Sequence, residues 1–145
     1  MSQEDDKIFS TTLIGGRIVY FTIRRPPETE EHWEAYREAF MWYYNNVDKF
    51  VICYDLRDID GISEYFVEKK INFLREIQGH TAKVLVCTAV ILNSPVFVTL
   101  LNMLLERYEN TRPVQTFDND TDATKWLTGM IIKTLGPEAA SKMFE

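Results

Sequence analysis

Two short acidic runs are the residues best suited to metal chemistry. Asp118-Asn119-Asp120-Thr121-Asp122 carries the alternating oxygen donors that open a calcium loop. Such a loop needs glycine at its sixth position, for the sharp turn, and a bidentate glutamate at its twelfth. Those positions hold Ala123 and Gly129. Asp58-Ile59-Asp60-Gly61 has the glycine, but the first ligand position falls on Leu56 and the last on Val67. Neither run reads as a metal loop, and helix capping accounts for the carboxylates of both.

Nucleophiles and bases are scattered. There is no GxSxG elbow, no glycine-rich phosphate loop and no GxGxxG after the first strand. His32 lies in an acidic first helical turn and His80 just after a helix end. Neither falls at the C-terminal end of a strand, where open parallel sheets hold their ligands, so both read as surface or capping residues. Cys53 and Cys87 each sit inside an apolar run, outside any CxxC or zinc spacing. They read as small buried hydrophobes in a reducing, intracellular setting. No base, nucleophile and orienting group fall together, so the expectation is a protein without catalytic residues or cofactor.

One polar cluster remains. Asp55, Arg57, Asp58, Asp60, Gly61 and Ser63 gather where the third expected strand meets the second helix, and Asn93 and Ser94 where the fourth strand meets the third helix. Consecutive parallel strands end on one edge of a sheet, so the two loops are expected to be neighbours. Each feeds a helix N-terminus, whose unpaired N–H groups and dipole suit a phosphate or a partner's carboxylate. The residues expected to meet a partner are Arg57, Asp58, Asp60, Gly61, Asn93 and Ser94. Ser63 is the expected cap of the second helix.

The elements that must position this cluster follow from periodicity. Lys7–Ile14 and Arg17–Arg24 read as two strands around Gly15-Gly16, a tight antiparallel hairpin. Pro26-Pro27 stops the second strand, and Thr29 caps a helix whose inward face is Trp33, Tyr36, Phe40, Tyr43, Tyr44 and Val47. Phe50–Leu56 is a nearly continuous apolar run, as a central strand requires. Val67, Ile71, Leu74 and Ile77, widened by Phe66 and Phe73, face inward on the second helix, with Gly79 as its stop. Lys83–Leu92 is the next strand. Ser94-Pro95 starts a third helix with Phe97, Leu100, Leu101, Leu104, Leu105 and Tyr108 as its stripe. Pro113–Phe117 is a short edge strand. Ala123, Trp126, Leu127, Met130 and Ile131 face inward on a last helix that ends at Gly136-Pro137. The order β-β-α-β-α-β-α-β-α predicts an α/β fold: a mixed five-stranded sheet, parallel in chain order apart from the first hairpin, with four helices mainly on one face.

Composition bounds the partners. A chain of 145 residues, 46% hydrophobic, is expected to form one domain with a polar tail over residues 1–6. A net charge of −6, with only Arg24-Arg25 and Lys69-Lys70 as basic pairs, disfavours nucleic acid and anionic membrane. The acidic, polar start Met1–Lys7 is not expected to act as a signal peptide, and no apolar run reaches the ~18 residues of a membrane span. The expected location is the cytoplasm. Exposed aromatics on the first helix offer a surface for a homodimer.

The order of elements resembles the STAS and SpoIIAA-like superfamily. Tyr54-Asp55-Leu56-Arg57-Asp58-Ile59-Asp60-Gly61-Ile62-Ser63 is similar to that family's segment after the third strand, in which an aspartate-leucine strand end leads to a serine-glycine turn. Thr116-Phe117 to Trp126-Leu127 is similar to its closing strand, acidic turn and helix. The resemblance implies a regulatory protein-interaction module that docks a partner through the loops after strands three and four. It also implies a phosphorylated serine opening the second helix. The nearest match is Ser63, two residues past Gly61 rather than immediately before it. A second resemblance, of Ile91-Leu92-Asn93-Ser94-Pro95-Val96-Phe97 through Leu104 to CRAL-TRIO lipid carriers, implies instead an apolar ligand or lipid beneath Phe97 and Leu101. A carrier of that kind needs an apolar pocket of at least ~300 Å³.

Overall fold

Gly15 and Gly16 turn the chain at φ of 60° and 73°, a left-handed backbone that L side chains resist. They join β1 (Phe9–Ile14) to β2 (Ile18–Ile23) as an antiparallel hairpin in which Phe9 faces Ile23 and Ile14 faces Ile18. The computed structural model describes residues 8–61, 64–107 and 112–143. Ser63, Tyr108, the side chain of Leu104 and the N-terminal tail lie outside the described residues.

The chain is α/β, with a five-stranded sheet in the order β1-β2-β3-β4-β5. The other strands are β3 (Phe50–Asp55), β4 (Leu85–Ile91) and β5 (Val114–Phe117), and all pairs after the hairpin are parallel. Between β2 and β3 runs α1 (Glu30–Asn46); between β3 and β4 run α2 (Glu64–Glu76) and α3 (Gln78–Val84); between β4 and β5 runs α4 (Pro95–Arg107). After β5 come α5 (Asp120–Leu135) and α6 (Pro137–Lys142).

Strand order sets the layering. Each crossover steps one strand in the same direction, and right-handed crossovers in one direction place their helices on one face. That face packs Val19, Phe21, Ile23, Phe50, Ile52 and Leu85 against Trp33, Tyr36, Phe40, Tyr43 and Tyr44 of α1 and Phe73 of α2. Among the described residues no strand follows β5, and α5 and α6 fold back across the opposite face. There, Ile18, Val51, Cys53, Cys87, Ala89 and Ile91 meet Ala123, Leu127, Ile131, Ala140 and Met143. A bulge between β3 and β4 gives β4 one extra residue: Phe50 pairs with Leu85, but Ile52 pairs with Thr88. Two consecutive residues, Val86 and Cys87, therefore share the α5 face.

Caps fall where short polar side chains precede apolar periodicity. Thr29 Oγ1 accepts from the His32 amide at 3.1 Å, and Asn119 Oδ1 from the Asp122 amide at 2.8 Å. Gly79 does not stop α2. The chain kinks at Ile77 and resumes as α3, with Gly79 inside it. The reason is tertiary. Thr81 of α3 is buried, and its hydroxyl meets Tyr44 Oη at 3.2 Å, while the exposed His80 ring reaches the Tyr44 carbonyl at 2.9 Å. These contacts hold a glycine in a helix that local propensity disfavours. None of the described side chains of α4 belongs to the buried core, and Val96 and Met103 are more than half exposed.

Candidate functional site

Parallel strands bring the ends of β2 to β5 to one rim, and backbone hydrogen bonds stitch it. The Asp60 amide donates to the Arg24 carbonyl (3.1 Å), Leu56 to Ile91 (3.0 Å) and Leu92 to Phe117 (2.8 Å). The loops carrying Gly61 and Asn93 thus share an edge of the sheet. Asp55 organises its centre. Its carboxylate accepts from Arg57 Nε (3.0 Å), Arg57 Nη2 (2.7 Å), the Arg57 amide (3.2 Å) and Tyr20 Oη (2.9 Å). The Arg57 guanidinium, chelating it, holds the Asp55 carboxyl below the usual carboxylate range, with Tyr20 adding to the effect. Burial and the bond to Asp55 raise the Tyr20 phenol.

Of the residues expected at this rim, Asp58, Asp60 and Asn93 are exposed, and Gly61 is half-buried. Arg57 is committed to Asp55 and lies 3.9 Å from Asp120. Ser94 caps α4, its Oγ 3.5 Å from the Phe97 amide. Cys53 and Cys87 are buried, unpaired thiols pushed up to about 12 by burial, which leaves little reactive thiolate. Among the described residues, no three His, Cys, Asp or Glu side chains converge as metal ligands. No described helix is long and apolar enough to cross a membrane.

A second locus lies on the face covered by α1 to α4. A pocket of about 170 Å³ opens between the sheet, α2 and α4. Ile52, Thr88 and Val90 form part of its floor, Ile71 and Leu74 come from α2, and Leu101 and Leu105 from α4. Leu101 lines it as expected; Phe97 does not.

Into this apolar space projects Lys70. Its Nζ donates to Tyr54 Oη at 2.8 Å and to Tyr36 Oη, and the two phenol oxygens are 2.7 Å apart. The ammonium lies 4.3 Å from the ring centre of Phe40, 4.5 Å from Tyr36 and 5.0 Å from Tyr54. Among the described residues no carboxylate pairs with it. The residue as a whole is half-buried, and part of that exposure faces the pocket it lines. Its amine end is the enclosed part. Burial, without a compensating charge, drives the Lys70 pKa well below the usual lysine value. Burial likewise raises the phenols of Tyr36 and Tyr54, so both stay protonated.

Arg112 also lines the pocket. Its Nη2 donates to the Ala82 carbonyl near the end of α3, while its buried Nε has no hydrogen-bond partner among the described residues.

Sequence reasoning set Lys70 aside as half of a basic pair. The signal was present in the spacing: Lys70 falls three residues after Val67 and four before Leu74, on the inward face of α2. The adjacent Lys69 differs by one helical step and points outward, pairing with Glu30 at 3.2 Å.

No family model matches the chain, and neither a curated protein nor a solved structure matches it.

Proposed function

We propose that the chain binds a small apolar molecule, of single-ring or short-chain size, in the pocket between the sheet, α2 and α4. The observation that carries this reading is Lys70. An amine held in an apolar enclosure without a counter-charge costs stability, and an apolar side chain of similar length would relieve that cost. Its presence is accounted for by a ligand that uses it. The pocket suits that role in size. An apolar cavity of about 150 Å³ is known to take benzene, and this one is about 170 Å³. It falls below the ~300 Å³ expected for a lipid carrier, so the ligand class is smaller than a lipid.

Thermal melts with toluene as the probe test this reading. At about a tenfold excess over its Kd, a ligand specific to the folded state stabilises by about 1.4 kcal/mol. For a domain of this length that is a rise of roughly 3–6 °C. Leu101→Trp, on a half-exposed position of α4, fills the space and is expected to abolish the rise while the variant still melts cooperatively.

The second reading is the STAS-like docking module. It is favoured by the exposure of Asp58, Asp60 and Asn93 on one rim. A melting temperature indifferent to toluene would transfer the proposal to that rim.

A further inference from the structure

We infer that Lys70 captures an apolar aldehyde or ketone in this pocket as an imine, with the phenols of Tyr36 and Tyr54 carrying the protons. The inference rests on the pocket-binding reading and names the chemical class of its ligand.

The geometry supplies each part of the reaction. An amine is a nucleophile only when unprotonated, and burial of Nζ in the apolar enclosure favours that form, against the attraction of three nearby ring faces for the ammonium. The hydrogen-bonded pair of phenols touches the nitrogen. In the first step the Nζ lone pair attacks the carbonyl carbon, forming the C–N bond as the C–O π bond breaks. One phenol gives its proton to the oxygen and receives one from nitrogen. In the second step the carbinolamine hydroxyl leaves as water, protonated through the same phenol, while the remaining N–H proton returns to the phenolate. The sum is amine plus carbonyl giving imine plus water, with no change in oxidation state. Apolar walls hold back the bulk water that would reverse it. A carboxylate ligand would use the same amine as a counter-ion, and the experiment separates the two.

Lys69 is the internal control, because it is adjacent in sequence, solvent-facing and ion-paired to Glu30. The full chain is treated near neutral pH with benzaldehyde and sodium cyanoborohydride, which reduces an imine to a stable benzylamine, and the label is placed by fragment mass spectrometry. Each unit by which burial lowers an ammonium pKa raises its reactive fraction about tenfold. Lys70 is therefore expected to label about tenfold or more faster than Lys69. Lys70→Met should lose that label. Tyr54→Phe should slow labelling of Lys70. Labelling of Lys70 no faster than Lys69 overturns the inference. If toluene still raises the melting temperature in that case, the pocket reading survives without its imine; if toluene has no effect either, both fall. Stabilisation by benzoate beyond that by toluene, with no labelling by benzaldehyde, would make Lys70 an anion receptor and overturn the imine.

Discussion

Protonation of Lys70 works against folding. The unfolded chain holds that proton up to about pH 10.4, while burial lowers the folded-state pKa. Between the two values the unfolded state binds more protons, so stability rises with pH across that window. Lys70→Met is expected to raise the urea midpoint at pH 7, with the gain shrinking as pH approaches 10. The phenols of Tyr36 and Tyr54 keep each other as partners in that variant. Asp55 behaves in the opposite sense. Its folded pKa is depressed, so its contribution is present above the ordinary carboxylate pKa and lost as pH falls through the folded value. Asp55→Asn should cost about 2 kcal/mol at pH 7, the scale of hydrogen bonds to a charged group. That deficit should narrow in urea melts as pH falls from about 4 through the depressed folded value. The two residues also show what composition conceals. Asp55 sits at the end of an apolar strand, where it was legible. Lys70 looked like surface charge because its neighbour Lys69 is surface charge, and only a phase argument about α2 separates them.

At the level of elements, the two turn glycines make unequal demands. A Cβ on Gly15 would lie 2.7 Å from the carbonyl oxygen of Met143, whereas one on Gly16 would meet nothing within 4 Å. Gly16→Ala should cost about 1–2 kcal/mol, the left-handed penalty alone. Gly15→Ala should cost more, since the α6 backbone must also shift, and urea denaturation of the pair measures the difference. The strands, their order and the starts of α1 and α5 were legible because apolar runs and capping residues are local signals. The β4 bulge was not, because it depends on how Leu85–Ile91 registers against β3. α3 was not, because contacts with Tyr44 override a helix-breaking Gly79. α4 read as a core helix from its stripe, yet none of its described side chains is buried, and Leu101 and Leu105 line the pocket.

For the whole molecule, the two faces of the sheet differ in kind. The α1 face is an aromatic lattice: the Phe21 ring lies within 6.4 Å of five other aromatic centroids, Phe9, Tyr36, Phe40, Tyr43 and Tyr54. Such rings pack at fixed angles, each pair adding about 0.5–1.5 kcal/mol beyond its buried area. The pocket opens at the margin of this lattice, where Tyr36, Phe40 and Tyr44 of α1 meet Leu101 and Leu105 of α4. The opposite face is aliphatic and small, with Ala89, Ala123 and Ala140 allowing close approach of α5 and α6.

That opposite face has a consequence for synthesis. Ile18, near the start of the chain, is roofed by Ala140 and Met143 near its finish. Until α5 and α6 have been made, β2 through β4 present an oily surface to the cell, inviting a chaperone or a neighbouring nascent chain.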